Sequence, residues 1–265
     1  MNNYPPTHNK QQNYRFLSLL NNLAILAWGL LLLKYAITGQ YKILIHPNYF
    51  YLMLATSILL LVLGVFKTKQ LLQVAPQPTE QHLNIFPPGV GSSLLLLAAI
   101  AGLLIPPTVL ASQTALQRGV SETLPATSYE PQAFTTQTKP EERSLIDWIR
   151  TLNAYPEPEA YAGQPAEITG FVIKLPELPD NYLLLSRFIL TCCAVDAYPV
   201  YVPVELPPDG QSYPIDSWLK ITGTMTAQTL SIRDRTDTPQ EQRRLVLQAE
   251  TITKIATPKD PYSYR

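Results

Sequence analysis

The first 110 residues hold three long apolar runs, and no other feature limits the fold as severely. The first covers about 16–37 and includes LAILAWGLLLL, with Lys34 near its end. The second covers about 49–66 and reads YFYLMLATSILLLVLGVF. The third covers about 89–107 and includes GVGSSLLLLAAIAGLLI. A helix that crosses a bilayer needs about 20 apolar residues. The first two runs meet that length. The third is short unless it continues through Pro106-Pro107. Lys34 can lay its stem along the helix and reach the interface, and Thr56 and Ser57 can bond back to the helix backbone. Buried helices of a large soluble core are the alternative, but three runs of this length with almost no charge, joined by short polar loops, leave no polar face for water. A signal peptide would end in a small-residue cleavage site before the next span. The expectation is therefore three membrane helices within a transmembrane region of 16–110, preceded by a tail at 1–15.

The charges divide at the same place. Up to Leu110 there are six basic residues (Lys10, Arg15, Lys34, Lys42, Lys67, Lys69) and one acid, Glu80. The rest of the chain has 14 basic and 19 acidic residues. Lys10 and Arg15 precede the first run, and Lys67 and Lys69 follow the second. The bias of Lys and Arg toward cytoplasmic loops places the N-terminus in the cytoplasm and the C-terminal half outside a bacterial plasma membrane. An acidic outer half repels phosphate backbones, so no nucleic-acid partner is expected.

From 111 to 140 the chain is rich in Thr, Gln, Ser, Ala and Pro, which reads as a linker. A soluble β-rich domain is expected over 141–265. It begins with an amphipathic helix in which Leu145, Trp148, Ile149 and Leu152 share one face. Strand patterns follow at 167–174, 182–193, 200–204, 218–225 and 245–252, with Pro203 favouring a sheet edge. Ile-Thr-Gly occurs twice, at 168–170 and 221–223, and the glycines suit sharp bends. About five short strands fit a small OB-like barrel, with a β-sandwich as the alternative. The fold class is thus an α+β membrane protein: three spans, then a small all-β domain with one helix.

Both cysteines lie in Thr191-Cys192-Cys193-Ala194-Val195-Asp196-Ala197. Free cysteines are often plain core residues. A disulfide between neighbours is strained, because consecutive Cα atoms stand about 3.8 Å apart and disulfides prefer about 4.4–6.8 Å. Neighbours in a regular strand also point to opposite faces, so both thiols can hold one ion only if the backbone bends. Cys192, Cys193 and Asp196 are the candidate metal ligands, three donors where a closed tetrahedral site has four. Met225 is the domain's one methionine, and nothing in the sequence places it nearby. Arg187 and Asp196 flank the pair, and separate solvated charges are the simpler reading. All three histidines (His8, His46, His82) precede Leu110, so no Ser-His-Asp or Cys-His arrangement can form in the domain. No enzymatic activity is expected.

At RFILTCCAVDAYPVYVPV (187–204) and WLKITGTM (218–225), together with the three preceding runs, the chain resembles the YcgQ-type bacterial membrane proteins, a family assigned to permease systems. The resemblance implies a non-enzymatic accessory subunit in the lipid bilayer that works with a separate multi-span permease. It implies that the outer domain handles a soft or transition metal ion or another small solute. The competing expectation is a membrane-anchored thiol-based redox or soft-metal sensor.

Overall fold

A computed structural model of the chain describes residues 8–73, 87–122, 139–208, 211–233 and 240–264. The chain forms two compact units, Met1–Thr108 and Val109–Arg265.

The first unit holds helices α1 (His8–Thr38), α2 (Phe50–Gln73) and α3 (Val90–Leu104). Two of its helical segments, Asn13–Thr38 and Pro47–Gln73, are long and apolar enough to cross a membrane. The expected third span at 89–107 is a helix of only 15 residues. At about 1.5 Å per residue it rises roughly 22 Å, less than a hydrocarbon core of about 30 Å. Its limits have local causes. Gly89 takes a left-handed conformation at the start, and Ile105, just before Pro106-Pro107, is extended.

Polar contacts between the helices fix their directions. Asn22 donates to the Thr68 hydroxyl (2.7 Å), and Ser57 to the Gly29 carbonyl (2.8 Å), so α2 runs antiparallel to α1. Trp28 donates to the Leu95 carbonyl (3.0 Å), Tyr35 to Gly102 (3.0 Å) and Lys34 to Leu103 (2.8 Å). Rising numbers on α1 meet rising numbers on α3, so these two helices run parallel. Ser57 therefore bonds across to α1, while Thr56 bonds back to the Leu52 carbonyl as the sequence suggested. Lys34 caps one carbonyl, that of Leu103, in the last turn of α3.

The second unit contains the short helix α4 (Ser112–Arg118), the amphipathic helix α5 (Leu145–Ala154) and six strands: β1 (Pro165–Ile173), β2 (Tyr182–Leu190), β3 (Tyr198–Glu205), β4 (Trp218–Ile232), β5 (Gln240–Ile255) and β6 (Ser263–Tyr264). Helix α5 starts after Ser144, whose hydroxyl accepts from the Asp147 N–H while the Asp147 carboxylate accepts from the Ser144 N–H. Its buried face carries Leu145, Trp148 and Ile149 into the main core, against Ile168, Leu185, Val202, Leu219 and Leu247 of the sheet.

The sheet is mixed, in the order β1-β4-β5-β3-β2-β6, with an additional β1–β2 pairing. All long-strand pairings are antiparallel except β3 with β5, which are parallel at Val204↔Leu247 and Glu205↔Gln248. Strand β3 is paired along its whole length with β2, but with β5 only at those two positions. The Tyr201 N–H donates to the Ser121 carbonyl on that less-covered flank. Pro199 and Pro203 share the flank by the period of two, so neither removes a ladder bond there.

The repeated Ile-Thr-Gly segments lie side by side, with Ile168 opposite Ile221. A Cβ on Gly170 would stand 2.6 Å from the Ser186 carbonyl oxygen, where β1 meets β2. A Cβ on Gly223 would collide with the Gln248 carbonyl, at the β-bulge between β4 and β5. Both glycines admit a neighbouring backbone at closer than side-chain distance.

The segment expected to begin the linker is folded into this unit. The Leu110 N–H donates to the Tyr262 hydroxyl (2.9 Å), and the Ser112 N–H to the Asp216 carboxylate (2.6 Å). Ser121 bridges Val200. Glu122 pairs with Arg244 at 2.6 Å; the Arg244 side chain is 1% exposed and that of Glu122 12%. Arg244 also donates to the Tyr201 hydroxyl (3.1 Å). The remainder of the expected linker, 123–138, lies outside the described residues.

Replacing Gly223 by Ala is expected to lower unfolding stability by about 1–3 kcal/mol through overpacking, as is Gly170→Ala. Chemical denaturation of the purified protein checks this, and an unchanged midpoint for both variants would contradict the close-approach account.

Candidate functional site

Strand β2 ends at Leu190 and β3 starts at Tyr198, with Ile189 opposite Tyr198. The seven residues between them are Thr191 to Ala197, the segment that carries both cysteines. Regular strand geometry stops at Thr191, so the alternation that would separate the two thiols stops as well. The Asp196 carboxylate holds the bend. One oxygen accepts from the Cys192 N–H (2.8 Å) and the other from the Cys193 N–H (3.1 Å). The Asp196 N–H donates in turn to the Cys193 carbonyl (3.1 Å).

The two thiols are free, and their sulfurs stand 3.6 Å apart. The sulfurs and a carboxylate oxygen of Asp196 lie within 4.8 Å of one another. The structure thus gathers all three sequence candidates, Cys192, Cys193 and Asp196, into one cluster. Cys192 is exposed, while Cys193 and Asp196 are half-buried. Val195, at the tip of the loop, is 85% exposed.

Charge and hydrogen bonding set the protonation of the cluster. The hydrogen bond to the Asp196 carboxylate, followed by that to Cys193, pushes the Cys192 thiol up to about 11. Burial pushes Asp196 up, but the bonds it accepts from the Cys192 thiol, the two backbone N–H groups and Thr191 outweigh this and hold it below its ordinary value. A cluster of this kind retains a proton strongly and is a poor nucleophile at neutral pH, because the thiolate is the reactive form. A cation could take the proton's place.

Arg118, at the end of α4, was not singled out from the sequence beyond its charge. Its guanidinium donates to the carbonyls of Ala194 (3.0 Å) and Ala197. It therefore ties the loop to the end of α4. No local pattern announces this bond, since 76 residues separate Arg118 from Ala194. The other sequence candidates are engaged elsewhere. Arg187 donates to the Asp260 carbonyl (2.8 Å) and lies over the Trp218 ring at 5.6 Å. Met225 is fully buried in the main core, opposite Leu247.

Alkylation of Cys192 is expected to stay slow up to about pH 9 and to accelerate only as pH approaches its raised value of about 11. The raised value means that the folded protein retains the thiol proton at pH values where a free cysteine has lost it. Asp196→Asn removes the carboxylate that accepts the thiol's hydrogen bond and should bring the rate profile down toward that of an ordinary cysteine. Mass-spectrometric rates for each cysteine across pH check both statements.

No curated protein matches this chain, and no solved structure does. Two family domains do match: the DUF1980 N-terminal domain over residues 20–121 and the DUF1980 C-terminal domain over residues 132–265. Together they take in both the apolar helices and the whole cysteine-bearing sheet, and the chain belongs to the DUF1980 family.

Proposed function

We propose that this chain is a non-enzymatic accessory subunit of a membrane permease system, whose sheet domain binds a metal ion or small solute outside the cytoplasmic membrane. The observation that carries this reading is the exposed Cys192–Cys193–Asp196 cluster in a unit that follows membrane-type helices. The likeness to the YcgQ-type proteins at 187–204 and 218–225 is what supports pairing with a multi-span permease.

The reading includes a third crossing by α3. With two crossings, the second unit would share a side with the N-terminus; with three, it lies opposite. The parallel course of α1 and α3 favours three, because both helices then travel in the same direction through the bilayer. Residues 105–107 in extended form would add about 10 Å to the short helix. The basic residues around the first two helices favour a cytoplasmic N-terminus.

The sheet domain is read as an OB-like barrel. Its pairings run β1–β2–β3–β5–β4 and back to β1, with β3 and β5 parallel. In such a barrel the face of strands 2 and 3 takes part in binding, and the cysteine loop joins β2 to β3. The competing reading of a thiol-based sensor is weakened by the suppressed ionisation of Cys192.

Purification of the tagged full-length chain from its native membrane in mild detergent is expected to recover a multi-span permease in fixed ratio. Recovery of this chain alone under several mild conditions would remove the subunit reading. A reporter fused after Arg265 should be active only outside the cytoplasmic membrane, and cytoplasmic activity would remove the third crossing.

A further inference from the structure

We propose that the Thr191–Ala197 loop is a three-donor site for a thiophilic divalent ion of the zinc type, held tetrahedrally with its fourth position open to exchange. This rests on the reading that the loop binds a metal or solute, and it names the class of ion and the kind of site.

The donor set narrows the ion first. Two thiolates and one carboxylate are poor company for calcium or magnesium, which take oxygen ligands. They suit zinc and its neighbours. The sulfur spacing is compatible with a tetrahedral geometry. With metal–sulfur bonds of about 2.3 Å, two sulfurs on a tetrahedron stand about 3.8 Å apart, whereas a linear two-coordinate ion holds them about 4.6 Å apart. The two thiols stand in contact at 3.6 Å, so both sulfurs can reach one tetrahedral ion with little movement. The three donor atoms lie within 4.8 Å of one another, and a sulfur–oxygen edge on the same tetrahedron is about 3.6 Å. A modest side-chain rotation of Asp196 closes that difference.

The loop backbone is set before any ion arrives. Asp196 accepts from both cysteine N–H groups, and Arg118 holds the carbonyls of Ala194 and Ala197. The bond that Asp196 accepts from the Cys192 thiol is given up when that thiol loses its proton, which frees one carboxylate lone pair for a metal. The positive charge of Arg118 offsets part of the excess negative charge that two thiolates and a carboxylate leave around a divalent ion. Binding balances as one M²⁺ taken up and two thiol protons released to solvent.

The fourth position is the functional point. Among the described residues the cluster has three members. Structural zinc sites are closed by four protein ligands, and sites that act on or pass on their ligand keep one position free. Cys192 and the tip residue Val195 are exposed, so water can reach the cluster. Such a site can accept an ion from one donor and release it to another by associative exchange, as loading a permease requires.

The test uses the reduced full-length protein in detergent, titrated with Co²⁺. The expected result is one Co²⁺ per chain, with a near-ultraviolet thiolate-to-cobalt charge-transfer band and the intense visible bands of a tetrahedral ion. Zn²⁺ should bleach them. Added imidazole should shift the visible bands by entering the fourth position. Cys192→Ser and Cys193→Ser should each weaken Co²⁺ binding by about tenfold or more and reduce the charge-transfer band, with unchanged circular dichroism. Asp196→Asn should weaken binding to a similar degree, about tenfold or more. A weak octahedral spectrum without charge transfer overturns the site. Visible bands that ignore imidazole overturn the open position. Tight Cu⁺ uptake that excludes Zn²⁺ overturns the divalent assignment. Recovery of the permease without a cobalt band loses this site and keeps the subunit reading; a cobalt band without the permease does the reverse.

Discussion

Each of the five long strands of the second unit is hydrogen-bonded on two flanks, and this constraint governs the rest of that unit. Strands paired on two flanks leave little open edge for other chains. They also line a main apolar core, to which α5 adds Trp148 and its neighbours. The pairing demands close approaches that only glycine tolerates, at Gly170 and Gly223. It also concentrates chemical variety in the connections between strands, because the strands themselves are committed to pairing and packing. The cysteine loop is one of those connections. Its Asp196 satisfies backbone N–H groups that the ladder no longer reaches, and in doing so it brings two sulfurs to one side.

The first unit follows a different rule. Its helices satisfy their own backbones, so their association rests on close packing and a few polar contacts. Ser57, Tyr35, Trp28 and Lys34 each donate to a carbonyl of a neighbouring helix. These bonds specify register and direction, which an apolar surface alone does not.

Much of this was legible in the sequence, and the parts that were not share a cause. The apolar runs, the helix face of Leu145, Trp148 and Ile149, and the paired Ile-Thr-Gly segments all leave local periodic signals. The three candidate ligands were legible because their chemistry is rare in this chain and they lie within five residues. Strands β4 and β5 run well beyond the apolar cores that marked them, to Ile232 and from Gln240, through Thr, Gln and Arg that resemble a loop. The two-residue strand β6 is too short to leave a pattern. The length of the third helix was not legible, because composition does not show whether a helix passes Gly89 or Pro106. Arg118 and the Glu122–Arg244 pair were invisible because each depends on residues brought together from far apart in the chain.

The Glu122–Arg244 pair decides where the second folding unit begins. Sequence similarity to the family's C-terminal domain starts at residue 132, and the N-terminal domain match stops at 121. Glu122 falls in the gap between them, yet it neutralises a guanidinium that is 1% exposed. A soluble fragment trimmed to 132–265 would keep Arg244 without its counter-charge and would also lose Arg118 from the cysteine loop. Removing one member of a buried ion pair costs about 3–5 kcal/mol, a large share of the roughly 5–15 kcal/mol that holds a typical domain folded. Evolutionary boundary and mechanical boundary therefore differ here. The chain that leaves the third apolar helix is already part of the sheet domain's foundation, and it cannot be removed as a tether without undermining the domain it carries.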